Sequence, residues 1–252
     1  MLVIILVSAL LYILWGISKP NKKLTQFFIY IAWVLHAIIC FYNLIDEHGW
    51  KLNIMNAVLL ASWLSALVVM SFKIDSSWVK IPLVFFIVIS LIMVDTNSVL
   101  DHHHHHEFSW QLNLHIMLSM LAYAVLSVAT LYSVSLWVHI KKLKNSNFDS
   151  DISLSSLIDE EKKIFYLVSL GWLILSTSLL SGVIFIDNFI EQQIGHKVVF
   201  SLLAWLIFGS LIIGRLTRGW RGEKLISLTI TGMTMLAIGY LGSKIVLEWI
   251  IH

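Results

Sequence analysis

The length of its uncharged apolar runs constrains this chain most. Residues 2–17, 24–44, 54–72, 79–94, 111–139, 164–186, 198–214 and 225–251 form blocks that are free or nearly free of charge. A helix of about 20 apolar residues crosses the hydrocarbon core of a bilayer. In hydrocarbon, each backbone N–H and C=O must be satisfied within its own segment, which leaves helices for runs of this kind. The composition agrees: 58% of the 252 residues are hydrophobic and 13% are charged, too little charge to keep a soluble domain in water. The expected fold class is therefore all-α, a polytopic membrane helix bundle of about eight spans. The fourth block is the shortest clean run, with Pro82 near its start, where a helix tolerates it. A seven-span count stays open there. No repeat and no Gly/Ser- or Pro-rich linker interrupts the pattern, so residues 1–252 read as a single transmembrane domain. The first block follows Met1 without a basic stretch and reads as a first span rather than a cleaved signal.

Basic residues give the orientation. Alternate connections carry Lys19, Lys22 and Lys23, then Lys73 and Lys80, then Lys141, Lys142, Lys144, Lys162 and Lys163, then Arg215, Arg218, Arg221 and Lys224. The opposite side receives only Lys51, Lys197 and Lys244. The positive-inside rule assigns the basic side to the cytoplasm and both termini to the outside. One cytoplasmic connection, 145–163, is long. Leu154, Leu157 and Ile158 share a helical face there, and Ser156 stands three residues before Asp159, so an interfacial helix leading into the sixth span competes with an ordinary polar loop.

Several function classes are disfavoured. Net charge is +2, which gives no footprint for nucleic acid. Cys40 is the only cysteine, so there is no disulfide framework, no redox pair and no c-type haem attachment motif. The sequence holds no nucleophile–base constellation, phosphate loop or placed carboxylate pair, and an enzyme is not expected.

Eleven histidines in so apolar a chain point elsewhere. His36 lies ten residues before Asp46, ~15 Å below the outer boundary at 1.5 Å per residue, and His115 lies five after Trp110, ~8 Å down. His196 opens the seventh span. Ionisable residues in spans face the bundle interior or a cavity and mark functional sites. Neutral imidazole ligates haem iron through one nitrogen while a partner orients the other. As a set at similar depth the three are candidate axial ligands; taken singly, each better suits an interhelical hydrogen bond. Trp33, Trp50, Trp63, Trp110, Tyr123, Trp205 and Tyr240 supply flat walls for a porphyrin, or packing and interfacial belts. Lys197, beside His196, suits a haem propionate or simple snorkelling, and Lys244 suits snorkelling or a pair with Glu248. The run from His102 to His106 can collect metal loosely or be an embellishment with no essential role. His48, His139 and His252 read as boundary residues.

Residues 114–126, which begin Leu114-His115 and include Tyr123, resemble the histidine-bearing span of the cytochrome c assembly family, the CcsA- and HemX-like membrane haem handlers. Residues 196–208, continuing to Gly214-Arg215 and Gly219-Trp220-Arg221-Gly222, are similar to that family's next hallmark, and 49–56 to its outer segment before the third span. Over nearly its full length the chain most resembles a short inner-membrane branch, the YpjD-like proteins. The resemblance implies an eight-span bundle that binds haem and contributes to cytochrome assembly or tetrapyrrole-related functions. At His115 it implies a haem ligand; His196 and His36 do not match family ligand positions. The family's assembly factors carry a Trp-rich outer motif where residues 187–197 here hold no tryptophan, and later histidines where this chain has Gly214-Arg215 and Gly242-Ser243.

Three functions follow for comparison. The first is an inner-membrane haem-binding protein of this family, holding haem b through His115 with His196 or His36, with Lys197 and Trp205 as further contacts. The second is a transporter or channel subunit for a metal or small solute. The third is a non-catalytic scaffold or regulator that docks another membrane protein through small residues such as Gly232 and Gly239. The expected partners are the lipid bilayer, haem and other membrane proteins.

Overall fold

The computed structural model describes residues 1–18, 23–46, 49–50, 54–100, 110–145, 154–185 and 195–249. Within them the chain is helical, apart from a two-residue antiparallel bridge pairing Ile45 with Trp50 and Asp46 with Gly49. The helices are α1 (Leu2–Ile17), α2 (Lys23–Leu44), α3 (Ile54–Ser71), α4 (Ser77–Leu100), α5 (Trp110–Asn145), α6 (Leu154–Phe185), α7 (Gly195–Arg218) and α8 (Glu223–Trp249). Stretches of α2, α5, α6 and α7 are long and apolar enough to cross a membrane, and α1, α3 and α4 contain shorter apolar stretches. A membrane helix bundle accounts for all of this.

Helices outlast the apolar runs because backbone hydrogen bonding, not hydropathy, ends a helix. Thus α5 carries Lys141 to Lys144 on its last turns. Residues 154–163 are helical and run without a break into the rest of α6, and 146–153 lie outside the described residues. Pro82 lies inside α4, whose first turn is closed by Lys80 N–H donating to the Ser76 carbonyl.

The chain forms two compact units, 1–120 and 121–252. In the first, α1 packs on α2 and α4, and α3 packs on the same two, closing a ring of four helices. Helix α1 shows how such a ring sorts side chains. Leu6, Leu10 and Ile17 on one face are exposed, while Ser8, Tyr12, Trp15 and Gly16 on the other are buried. Outward apolar and inward polar or small side chains are what a lipid solvent selects. Lys80, 2% exposed, pairs with Asp75 and lies 5.5 Å from the Trp15 ring centroid.

In the second unit α7 packs against α8 and α6. Glycines set the approach: a Cβ on Gly232 would lie 2.6 Å from Phe208 Cζ, and one on Gly171 2.6 Å from Leu126 Cδ2. Gly232 and Gly239, expected as docking points for another protein, instead admit Phe208 and Phe200 of the chain's own α7.

Candidate functional site

In the first unit the structure gathers buried polar groups around His36. The imidazole is fully buried on α2, with Nδ1 3.4 Å from the Tyr12 hydroxyl of α1 and Nε2 3.5 Å from the Ser62 hydroxyl of α3. Both contacts are long. Tyr12 also meets the ring edge-on, with centroids 5.8 Å apart. Ser62 Oγ lies 2.8 Å from the Leu59 carbonyl and 2.7 Å from Ser90 Oγ of α4, which in turn donates to Ile87 O at 2.7 Å.

Proton counting assigns the tautomer. With the Ser90 proton on Ile87 O, the Ser62 hydroxyl donates to Ser90 Oγ, and the Ser62 oxygen accepts from Nε2–H. Nδ1 then accepts from Tyr12 O–H. The lone pair that would bind iron is Nδ1, and Tyr12 covers it. His36 is thus the polar centre of the four-helix ring, joining α1, α2 and α3 directly and α4 through Ser62.

His115 is differently placed. It is half-buried in the second turn of α5, and its carbonyl accepts a hydrogen bond from Ser119 Oγ at 2.9 Å. Four residues earlier, on the same helical face, Gln111 Oε1 is buried and has no hydrogen-bond partner among the described residues. A buried polar atom left open in this way calls for an acceptor or donor from outside. The amide can turn to present either its oxygen or its NH₂, so it can meet a carboxylate. A half-buried imidazole beside an open amide fits a haem, which needs a nitrogen ligand for iron and donors for its propionates. Gln111 had no signal in the sequence beyond its spacing from His115.

His196 and Lys197 occupy the first turn of α7; Lys197 is exposed, and the His196 side chain lies outside the described residues. Trp205 stacks on Trp172 of α6, centroids 5.4 Å apart and planes 22° apart. Its indole N–H donates to Ser176 Oγ at 2.7 Å, while Trp172 donates to the Trp205 carbonyl at 3.0 Å. A second stack, Trp33 on Trp63, lies at 4.9 Å in the first unit, where Trp63 donates to the Trp33 carbonyl at 3.1 Å. Each pair ties two helices together, a packing role that occupies one face of each ring. The run from His102 to His106, with Trp50, Tyr240 and Lys244, falls where side chains lie outside the described residues. His139 does more than mark a boundary: its Nδ1 is 3.1 Å from both carboxylate oxygens of Glu160. Among the described residues, no three His, Cys, Asp or Glu side chains converge as they would around a bare metal ion.

A family model described as Cytochrome C assembly protein matches residues 1–251. The inner membrane protein YpjD of Escherichia coli is 26% identical over 225 residues, covering 87% of this chain and 85% of its own. The cytochrome c biogenesis protein CcsA of Chlamydomonas reinhardtii is 26% identical over 144 residues, 56% of this chain and 40% of its own. CcsA of a Synechococcus strain is 24% identical over 163 residues, 53% of each chain.

Proposed function

The chain belongs to the cytochrome c assembly protein family, and from that premise we propose that it is a haem-handling, non-catalytic protein of the bacterial inner membrane. Membership supports a role in cytochrome c biogenesis, and the name of its YpjD relative supports the inner membrane. The observation that carries the haem reading is the outer end of α5, where half-buried His115 follows Gln111, whose buried oxygen has no partner among the described residues. His115 would hold haem b as an axial ligand. His196 is the second candidate and His36 the third, and His36 would first have to part from Tyr12. Gln111 would serve a propionate, and Lys197 and Trp205 are separate candidates for haem contact in the second unit. When bound, haem itself supplies whatever redox chemistry is used. These residues contribute binding and orientation, and the apolar helices around them keep water away.

Visible absorption of detergent-purified protein after haem supplementation tests this. The expected result is sharp bands in the reduced-minus-oxidised difference that are lost in His115→Ala. Bands unchanged in that variant would remove His115 from the site. Absence of bands in the parent protein would remove haem.

A further inference from the structure

The α7–α8 connection of the second unit contains an arginine held in place with an unfilled hydrogen-bonding capacity. Helix α7 ends in an αL motif, with Gly219 at φ +64° donating its N–H to the Arg215 carbonyl at 3.2 Å, and Trp220 N–H donates to that of Gly214 at 3.3 Å. This motif brings the residue after the left-handed glycine onto the last turn. The Trp220 ring accordingly lies flat against Gly214, where a Cβ would penetrate it. Gly222, also left-handed, donates its N–H to Glu161 Oε1 of α6 at 2.8 Å, which fixes the connection to α6.

Four cations surround this knot. Arg215 is half-buried, its guanidinium 4.7 Å from the Phe165 ring centroid one turn along α6 from Glu161. Its Nη1 is buried and has no hydrogen-bond partner among the described residues. Arg218 and Lys224 approach the Trp220 ring at 6.0 Å and 5.1 Å, and Arg221 is exposed between them. Glu161, while accepting from Gly222 N–H, offsets part of the Arg215 charge, and Glu223 pairs with Lys144 at 3.0 Å, so the cluster keeps a net positive charge. Next to Arg215 on α7, Ile213 and Leu216 are 63% and 73% exposed.

We propose that this end of the second unit binds the phosphate headgroup of an anionic phospholipid, with Arg215 as the principal ligand and Arg218, Arg221 and Lys224 around it. A guanidinium fork matches a phosphate in geometry and charge. A tryptophan among basic residues is the usual composition of a headgroup layer. Lipid is the favoured source of that phosphate because exposed Ile213 and Leu216 give acyl chains a surface beside the cations. The inference is independent of haem binding.

Native mass spectrometry of the full chain released from micelles containing phosphatidylglycerol, phosphatidylcholine or inorganic phosphate tests it. The expected result is retention of phosphatidylglycerol over phosphatidylcholine. Loss of one charged hydrogen-bonding group should weaken retention about tenfold in Arg215→Gln. Arg215→Lys should fall between the two, and Lys73→Gln on the first unit should match the parent. Equal retention of both lipids, or an undiminished Arg215→Gln, overturns the proposal. Inorganic phosphate that displaces phosphatidylglycerol at millimolar concentration also overturns it, by identifying a soluble phosphate as the ligand. Should Arg215→Gln fail to fold, the same comparison in Arg221→Gln, which alters an exposed side chain, decides.

Discussion

Adding one methyl group at Gly232 should measurably loosen the α7–α8 pair. In Gly232→Ala the new Cβ would stand 2.6, 2.8 and 2.9 Å from Cζ, Cε1 and Cε2 of Phe208. Ordinary contact between carbons begins near ~3.5 Å, so the ring must retreat by roughly 0.6–0.9 Å. Phe208 is fully buried, and close-packed interiors leave a ring little room to swing aside, so the clash is relieved by strain in the ring or by separation of α7 and α8. Overpacking of this kind costs about 1–3 kcal/mol, with alanine's better helix propensity returning up to about 1 kcal/mol. Phe208→Leu in the same chain removes the ring and should recover most of the loss. The assay is reversible unfolding in mixed micelles, with all four members of the double-mutant cycle and a coupling of at least ~0.5 kcal/mol expected. If Gly232→Ala is as stable as the parent, or the double variant equals the sum of the singles, this contact does not set the helix spacing.

Three further outcomes follow from named contacts. Trp172→Phe keeps a ring against Trp205 but loses the indole bond to its carbonyl, and should cost about 0.6 kcal/mol and no more than ~1.7 in the same unfolding assay. A larger loss would show that the stack itself is broken. Coupling between His139 and Glu160, measured by a cycle of His139→Ala and Glu160→Gln, should stay near or below ~1 kcal/mol and shrink with salt, because both groups are only partly buried. Salt-independent coupling of several kcal/mol would refute a boundary ion pair. Tyr12→Phe uncovers Nδ1 of His36 and distinguishes two roles. If His36 is only a polar centre, stability falls by about 1 kcal/mol and the haem spectrum stays the same; if it ligates iron, haem retention rises.

The helical class was legible because an apolar run of span length has one solution in lipid, whatever its neighbours. Which faces turn inward was legible only in part. In α1, Ser8, Tyr12 and Gly16 form a visible stripe of polar and small residues, and the structure buries it. The continuous α6 was not legible, since Asp159 to Lys163 resemble a connection and carry no helix breaker. Nor was the use of Gly232, because a small residue admits a neighbour without saying whether that neighbour belongs to the same chain. At the candidate site, the depth of His36 followed from counting residues, but its engagement by Tyr12 and Ser62 depended on contacts 24 and 26 residues away.

That engagement bears on how imidazoles should be weighed in membranes. Depth alone favours His36 as a ligand, since an unsatisfied polar group there is costly and an iron would satisfy it. Yet the same cost drives the chain to satisfy the group internally, and two helices supply hydroxyls that do so. Burial therefore selects for a partner without selecting which one. A resident ligand for an exchangeable group needs a nitrogen that can be reached and a neighbourhood left incomplete without the cargo. His115, one turn from a buried amide oxygen that has no partner among the described residues, meets the second condition, which the fully engaged His36 does not. Incompleteness, rather than depth, is the stronger sign of a binding site, and by the same reasoning the orphaned nitrogen of Arg215 marks one in the second unit.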